Sequence, residues 1–322
     1  MRSPATATPS SPRRSTAPSA ARSRSPTPTA TRSRSMTAPE PSLLVFGATG
    51  SLGRHVLNAL LDRGLAPESI TAVGRNRPRL SELASAGFNT AAVDLSDAVG
   101  VADVVARHTD VVLISGSDPN RCAQHISVIA AAKGADVRHV YYTSGVRADD
   151  DRFQINADHK ATEDALIASG LTYTILRNTW YIENYIPALA ACRHTGVLAA
   201  ATGDAVVAAA SRLDLAEALA VVATTEGHDN VSYGLSGDTD FSYADIAEAM
   251  SVVLERDVIY QPVAPDELRA LLAGSGMSEE LASFLVNLDE TIAAGAFARV
   301  GDDLSRLLGR PTTGLVAGLR AP

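Results

Sequence analysis

Ser42-Leu-Leu-Val-Phe-Gly47-Ala-Thr-Gly50-Ser-Leu-Gly53-Arg-His-Val-Leu-Asn-Ala-Leu-Leu-Asp-Arg63 is the stretch that decides the fold. Residues 42–46 form a short apolar run, the pattern of a parallel strand buried on both faces. Residues 54–63 place Val56, Leu57, Leu60 and Leu61 at helical spacing, and Gly64 ends the run. Between strand and helix lie Gly47, Ala48, Thr49, Gly50, Ser51, Leu52 and Gly53. Gly47 allows a sharp turn, Gly50 lets backbone approach a pyrophosphate, and Gly53 lets the helix pack closely on the strand. The free N–H groups and positive dipole end of such a helix suit phosphates. The flanking strand and helix raise a three-glycine pattern above a merely tight turn.

Outward from this unit the alternation continues. Residues 70–73 read as a second strand, ending in Gly74-Arg75-Asn-Arg77. An NAD-preferring site carries an acid here for the ribose 2′-hydroxyl; none is present. Arg75 is placed instead to pair with a 2′-phosphate, with Arg77 and Arg79 as secondary candidates, so the expected cofactor is NADPH. Helices are expected over 80–86, 99–107 and 124–133, and strands over 89–93, 111–114, 137–142 and 171–177. A helix over 211–223 and a strand over 231–236 should rejoin the same sheet. This predicts an α/β fold: a Rossmann-type doubly wound parallel sheet with a smaller α+β C-terminal lobe. Ligands bind beyond the carboxyl ends of such strands. Asp94, Leu95, Ser115, Gly116, Ser117, Thr143 and Asn178 fall there and are cofactor-binding candidates.

The full chain has 322 residues and a net charge of −8. Residues 1–35 hold seven Arg and no acid, which leaves −15 for the remainder. An acidic body argues against nucleic acid as the main ligand. Residues 1–41 are rich in Arg, Ser, Pro and Thr, lack apolar periodicity and are expected to be disordered. Arg13-Arg14 would suit a twin-arginine signal, but the apolar segment that must follow is missing. An Arg/Ser arm that touches nucleic acid or an anionic surface and a true start at Met36 are the competing readings of this tail. Cys122 and Cys192 form no metal pattern, so no metal is expected. No apolar run is long enough to span a membrane, and a cytoplasmic location is expected. The expected division is 42–178, with 211–223 and 231–236, as the nucleotide-binding domain, and 179–206 with 237–322 as the substrate-binding lobe. Helices at 243–254, 265–273 and 278–288 and a strand at 258–261 belong to that lobe.

The GxxGxxG spacing resembles the short-chain dehydrogenase/reductase superfamily in its extended and atypical branches. In that superfamily an acid at the place of Asp94 contacts the adenine amino group. Ordinary members carry Tyr-x-x-x-Lys on the helix after the fifth strand. Here a helix begins near Ile155. Lys160 stands at the Lys place, as a cofactor-binding and catalytic candidate, and Asn156 stands where Tyr would be. Asn cannot supply a proton as an acid, so His159 is the nearest titratable candidate. After the strand at 171–177, Asn178-Thr-Trp180-Tyr181-Ile-Glu-Asn-Tyr185 contains the chain's one tryptophan. Trp180, Tyr181 and Tyr185 are candidates for a flat substrate pocket, or alternatively a packing hinge.

Gly47–Gly53, Gly74-Arg-Asn76, Tyr142-Thr-Ser144, His159-Lys-Ala-Thr-Glu163, Leu176-Arg-Asn-Thr-Trp-Tyr-Ile-Glu-Asn184 and Gly309-Arg-Pro-Thr-Thr313 together resemble the NAD(P)H:quinone oxidoreductase type 2 proteins. These are NmrA-like atypical short-chain dehydrogenases. The resemblance runs from about Leu43 to about Leu319. It implies NADPH in the Rossmann lobe and a quinone, a small-molecule partner, closed in by the C-terminal lobe. It also implies flavin-free, metal-free hydride transfer. A quinone delocalises developing charge over its ring and needs less help from a protein acid, which suits the missing Tyr. A reductase of another planar acceptor, such as a triphenylmethane dye, and an NADP(H)-sensing regulator without turnover stay open. Homo-oligomer formation is left open too.

Overall fold

The computed structural model describes residues 42–153 and 156–320. The tail over 1–41, with the alternative start at Met36, and the helix start near Ile155 lie outside them. The chain runs β1 (Leu43–Phe46), α1 (Ser51–Asp62), β2 (Ile70–Gly74), α2 (Arg77–Ser85), β3 (Asn89–Ala92), α3 (Ala98–Val105), β4 (Asp110–Ile114), α4 (Arg121–Gly134), β5 (His139–Gly145) and α5 (Ala157–Ser169). It continues through β6 (Tyr173–Asn178), α6 (Ile186–Thr195), β7 (Val197–Ala200), β8 (Val206–Val207), α7 (Arg212–Thr224), β9 (Val231–Leu235), β10 (Phe241–Ser242) and α8 (Tyr243–Leu254). The last elements are β11 (Ile259–Pro262), α9 (Pro265–Gly274), α10 (Glu279–Ala293), α11 (Asp303–Leu308) and α12 (Leu315–Arg320).

Seven strands form one sheet in the order β3-β2-β1-β4-β5-β6-β9. Every pairing in it is parallel. This is the expected Rossmann-type sheet. The order reverses between β1 and β4, and that switch point opens a crevice at the carboxyl ends of the strands. Strand alternation explains why β1 is apolar throughout. Leu43 and Val45 enter a core with α1 and α7, whereas Leu44 and Phe46 enter a core with α3, α4 and α5. Residues 231–235 add the seventh strand beside β6, and α7 leads into it.

A further core gathers α6, β7, β8, α8, α10 and α12. Two small sheets belong to it, β7 with β11 in parallel and β8 with β10 antiparallel. Contacts do not separate this part from the large sheet, because the described residues fall in a single compact unit. A strap at Gly309–Thr313 fastens it. The Asp214 carboxylate, at the first turn of α7 and fully buried, accepts hydrogen bonds from Arg310 (2.8 Å), the Thr313 amide (2.7 Å) and the Thr313 hydroxyl (3.0 Å). Asp238 receives the Thr312 amide at 2.8 Å. The Gly-Arg-Pro-Thr-Thr motif is therefore a structural clamp.

The same core contains an acid with no cation partner among the described residues. Asp289 is 8% exposed and accepts the Ala201 amide at 2.7 Å. Burial pushes its carboxyl up to about 6. A raised folded-state value means the ionised form destabilises the fold above that pH, and the penalty fades as pH falls from about 6 toward 4. Asp289→Asn keeps an acceptor for Ala201 and removes the charge. It is expected to raise unfolding stability at pH 7.5 by on the order of 1–3 kcal/mol. Urea unfolding at pH 7.5 and pH 4 checks this, and a gain that persists undiminished at pH 4 contradicts it.

Candidate functional site

The crevice at the switch point is a groove of about 720 Å³. Its first wall is the glycine turn. Gly47 takes a φ of +80°, open to glycine at little cost. A Cβ on Gly53 would stand against the Gly47 carbonyl and 2.7 Å from the Ala48 Cα, so the close helix–strand approach requires glycine there. Gly50 is the N-cap of α1, in ordinary extended geometry, and no side chain caps this end of the helix. The first-turn N–H groups have no intrahelical acceptors and point to whatever occupies the groove. By contrast, Asn76, Asp97 and Ser211 cap α2, α3 and α7 with their own side chains.

Most of the expected cofactor residues line this groove. Gly47, Thr49, Gly50, Ser51, Leu52, Gly53, Arg75, Asp94, Leu95, Ser115, Gly116, Ser117, Thr143 and Asn178 all do. Ala48 does not. It is fully buried, and its amide donates to the Val73 carbonyl at 3.2 Å, so it supports the turn from behind. Arg75 stands at the end of β2 with its side chain 67% exposed, 3.7 Å from Asp94 and 3.8 Å from Asp118. These loose pairs hold the guanidinium at the groove without burying it. Arg79 reaches back to the Thr49 carbonyl at 2.5 Å and braces the glycine turn. The Thr143 hydroxyl accepts the Ser115 amide at 2.9 Å and joins the ends of β4 and β5.

At the other end of the groove the structure corrects two expectations. Lys160 does not face it. Its ammonium reaches Asp164, one turn along α5, at 2.6 Å on the outer side of the helix. His159 and Glu163 occupy the inner side, because neighbours in sequence lie about 100° apart on a helix. Asn156 lies just before the first turn, buried, and donates to the Val146 carbonyl at 2.7 Å. Tyr185 also turns away from the groove. It closes a short turn of 3₁₀ helix and packs edge-on against Tyr243 in the further core, with its hydroxyl buried.

His159 does line the groove. Its Nδ1 is 2.8 Å from the Tyr142 hydroxyl. Burial, then the nearby Arg121 and His125 charges, push the imidazole down to about 3. It is neutral at physiological pH, so it is a hydrogen-bonding group there and not the charged acid that its residue type suggests. Behind it, the Glu163 carboxylate accepts Ser144 at 2.6 Å and the Arg177 Nη2 and Nε at 2.7 and 3.0 Å. This fixes the end of β5 at the groove floor.

Trp180 and Tyr181 line the groove as expected. The segment that carries them is pinned to Ala210, whose amide donates to the Trp180 carbonyl at 3.1 Å and whose carbonyl accepts the Ile182 amide at 3.0 Å. Trp180 packs on Phe297 with ring centroids 5.5 Å apart. Arg212 lies over the Tyr181 ring at 4.8 Å. Phe284, Phe297, Arg212 and Arg121 join the lining from elements distant in sequence and were not predicted. Asn178 Oδ1 and Thr179 Oγ1 are buried without hydrogen-bond partners among the described residues. A buried polar atom left unpaired is costly. Among the described residues no cluster of His, Cys, Asp or Glu could hold a metal ion. No helix among them is long and apolar enough to cross a membrane.

A family profile described as NAD(P)H-binding matches residues 47–226, the span that builds the glycine wall and most of the sheet. The chain belongs to the NAD(P)H-binding family. Quinone oxidoreductase 2 of Escherichia coli (strain K12) is 34% identical to this NAD(P)H-binding protein over 274 residues, 85% of this chain and 96% of that one. The NAD(P)H azoreductase of Xenophilus azovorans is 26% identical over 84% of this chain and 93% of its own. Among solved structures, an NADPH-dependent quinone oxidoreductase from Escherichia coli, complexed with NADPH, superposes with a TM-score of 0.82 at 33% identity, covering 86% of this chain and 98% of that one. The Citrobacter sp. triphenylmethane reductase, complexed with NADP(H), gives 0.82 at 30% identity, covering 87% and 99%. The kinship with the type 2 quinone oxidoreductases expected from the motifs is thereby shown.

Proposed function

We propose that this protein is an NADPH-dependent reductase that passes a hydride directly from the nicotinamide to a quinone. One observation carries the reading. A single groove is lined by an uncapped glycine cradle, by Arg75, and by the Trp180–Phe297 aromatic pair and His159. The residues present fit the dinucleotide. Gly50, Ser51, Leu52 and Gly53 would hold its diphosphate, Arg75 its 2′-phosphate, and Asp94 with Leu95 its adenosine. The unpaired Asn178 and Thr179 oxygens suit a carboxamide, which both donates and accepts. When bound, the nicotinamide supplies the hydride; with one proton from the medium a quinone becomes a hydroquinone.

The chain's own part is then positioning and exclusion of water. Trp180 and Phe297 present a flat apolar wall. Asn156 offers no acid, and its amide is spent on Val146. His159, with Nδ1 held by Tyr142, can direct its Nε2 at an acceptor oxygen. Residues 42–178 with α7 and β9 would carry the cofactor, and 179–206 with 237–322 the acceptor. The acceptor is then a small molecule and the setting cytoplasmic. The open aromatic wall would take other planar acceptors as well, a use favoured by the likeness to an azoreductase and a triphenylmethane reductase.

The test is to mix residues 36–322 with NADPH and 1,4-benzoquinone and to follow loss of reduced nicotinamide, with NADH as control. Oxidation well above background, faster with NADPH, is the expected result. Cofactor binding with no turnover across a quinone panel replaces this reading with an NADP(H)-sensing regulator. In the same assay Arg75→Ala is expected to weaken NADPH binding roughly 10- to 100-fold, the worth of one charge-assisted contact, and NADH binding much less. Equal losses for the two cofactors would remove Arg75 from the 2′-phosphate.

A further inference from the structure

α10 buries Ala282, Val286, Leu288, Asp289 and Ile292. Phe284 lies one turn before Leu288, at the border of that buried face. It is 52% exposed, yet it lines the same groove as Trp180, Phe297 and His159. Two other rings there are committed to each other. Trp180 and Phe297 pack on each other, and both are set into the further core. Phe284 has no aromatic partner among the described residues. An aromatic ring held half in water at the edge of a binding groove gains contact only when a ligand covers it.

We propose that Phe284 is the specificity-determining wall of the acceptor site and selects planar acceptors of two or more rings over single-ring quinones. This rests on the reductase reading above. The inner ring of such an acceptor meets the fixed Trp180–Phe297 wall, and the outer ring covers Phe284. A single ring satisfied by the inner wall leaves Phe284 in water, so its loss is felt mainly by the larger acceptor. Phe284 acts on binding and takes no part in hydride transfer, so its effect falls on KM more than on kcat.

The experiment compares wild type, Phe284→Ala and Phe284→Trp with 1,4-naphthoquinone and 1,4-benzoquinone. Differences in the intrinsic reactivity of the two quinones cancel when one variant is compared with another. A second readout does not need turnover. Trp180 is the chain's one tryptophan, so quenching of its fluorescence in the NADP⁺-loaded protein reports acceptor binding at this wall. Phe284→Ala is expected to lower the naphthoquinone-to-benzoquinone ratio of kcat/KM roughly tenfold, through KM, and to lower the ratio of binding constants likewise. Phe284→Trp, which adds a second tryptophan and is therefore read by kinetics alone, restores the kcat/KM ratio. Equal losses for the two acceptors, or no change for either, overturn the proposal. If the wild type reduces neither quinone, the reductase reading falls, and the quenching ratio still decides the role of Phe284.

Discussion

Gly50→Val abolishes NADPH binding and leaves the protein folded. Gly50 has φ −79° and ψ 174°, a geometry open to any residue, so valine there does not strain the backbone. A Cβ would stand 3.2 Å from the Gly47 carbonyl, a contact that small local adjustment relieves. The two methyl groups would instead occupy the space that a diphosphate must enter to meet the first-turn N–H groups of α1. Each charge-assisted hydrogen bond lost there is worth about 1.5–3 kcal/mol, so losing two or more weakens binding by at least about a hundredfold. Fluorescence titration with NADPH measures the loss, and a thermal melt within a few degrees of wild type shows that the fold survives. Retained binding would move the diphosphate away from the glycine turn. Gly53 offers no such separation of effects, because the atoms a side chain would meet there are backbone.

The largest expected loss of stability comes from Arg177→Met. Glu163 is 2% exposed, and its carboxylate depends on the paired nitrogens of Arg177 and on Ser144. Removing one partner of a buried pair leaves a charge that protein cannot solvate, at a cost of about 3–5 kcal/mol. Replacing both with apolar residues costs far less, because the desolvation penalty goes with the charge. Arg177→Met alone should therefore unfold at clearly lower urea concentration, and Arg177→Met with Glu163→Leu should recover most of the difference. A double variant no better than the single one would show that the pair is valued for Ser144 and the groove floor. Activity that stays low after stability recovers would place its importance there as well.

Much of the architecture was legible because it rests on local patterns. The run of β1, the helical spacing over 54–63 and the repeated strand–helix units each announce themselves within a dozen residues, and the parallel sheet follows from them. The ends of strands could be read as a ligand site for the same reason. Directions of side chains at the far end of the groove were not legible in this way. Lys160 matches a family spacing, yet His159 and Glu163 take the inner face of α5 and leave Lys160 to pair with Asp164 outside. Tyr185 is one residue type in an aromatic loop, and only the packing of α8 shows that it turns inward to Tyr243. Phe284 and Phe297 come from the C-terminal hundred residues, which nothing local connects to the glycine turn. Phe284 leaves no distinct trace in the sequence, because with Leu281, Leu285 and Leu288 it continues the apolar spacing of α10. The short α6, α11 and α12 were also missed, since each depends on tertiary packing more than on its own periodicity.

The clamp between Asp214 and the Gly309–Thr313 strap has a consequence for synthesis. Asp214 is made 96 residues before Arg310 and 99 before Thr313. The large sheet emerges early, but β9 and α7 cannot close over an uncompensated carboxylate without penalty. A nascent chain that lacks the strap therefore keeps the far edge of its sheet loosely held, in the state most open to proteolysis and to edge-to-edge association. Completion of the strap is what turns a partly assembled sheet into a committed one. Chains released before residue 310 should be recovered from cells as degraded or aggregated material, even though every strand of the sheet is present in them.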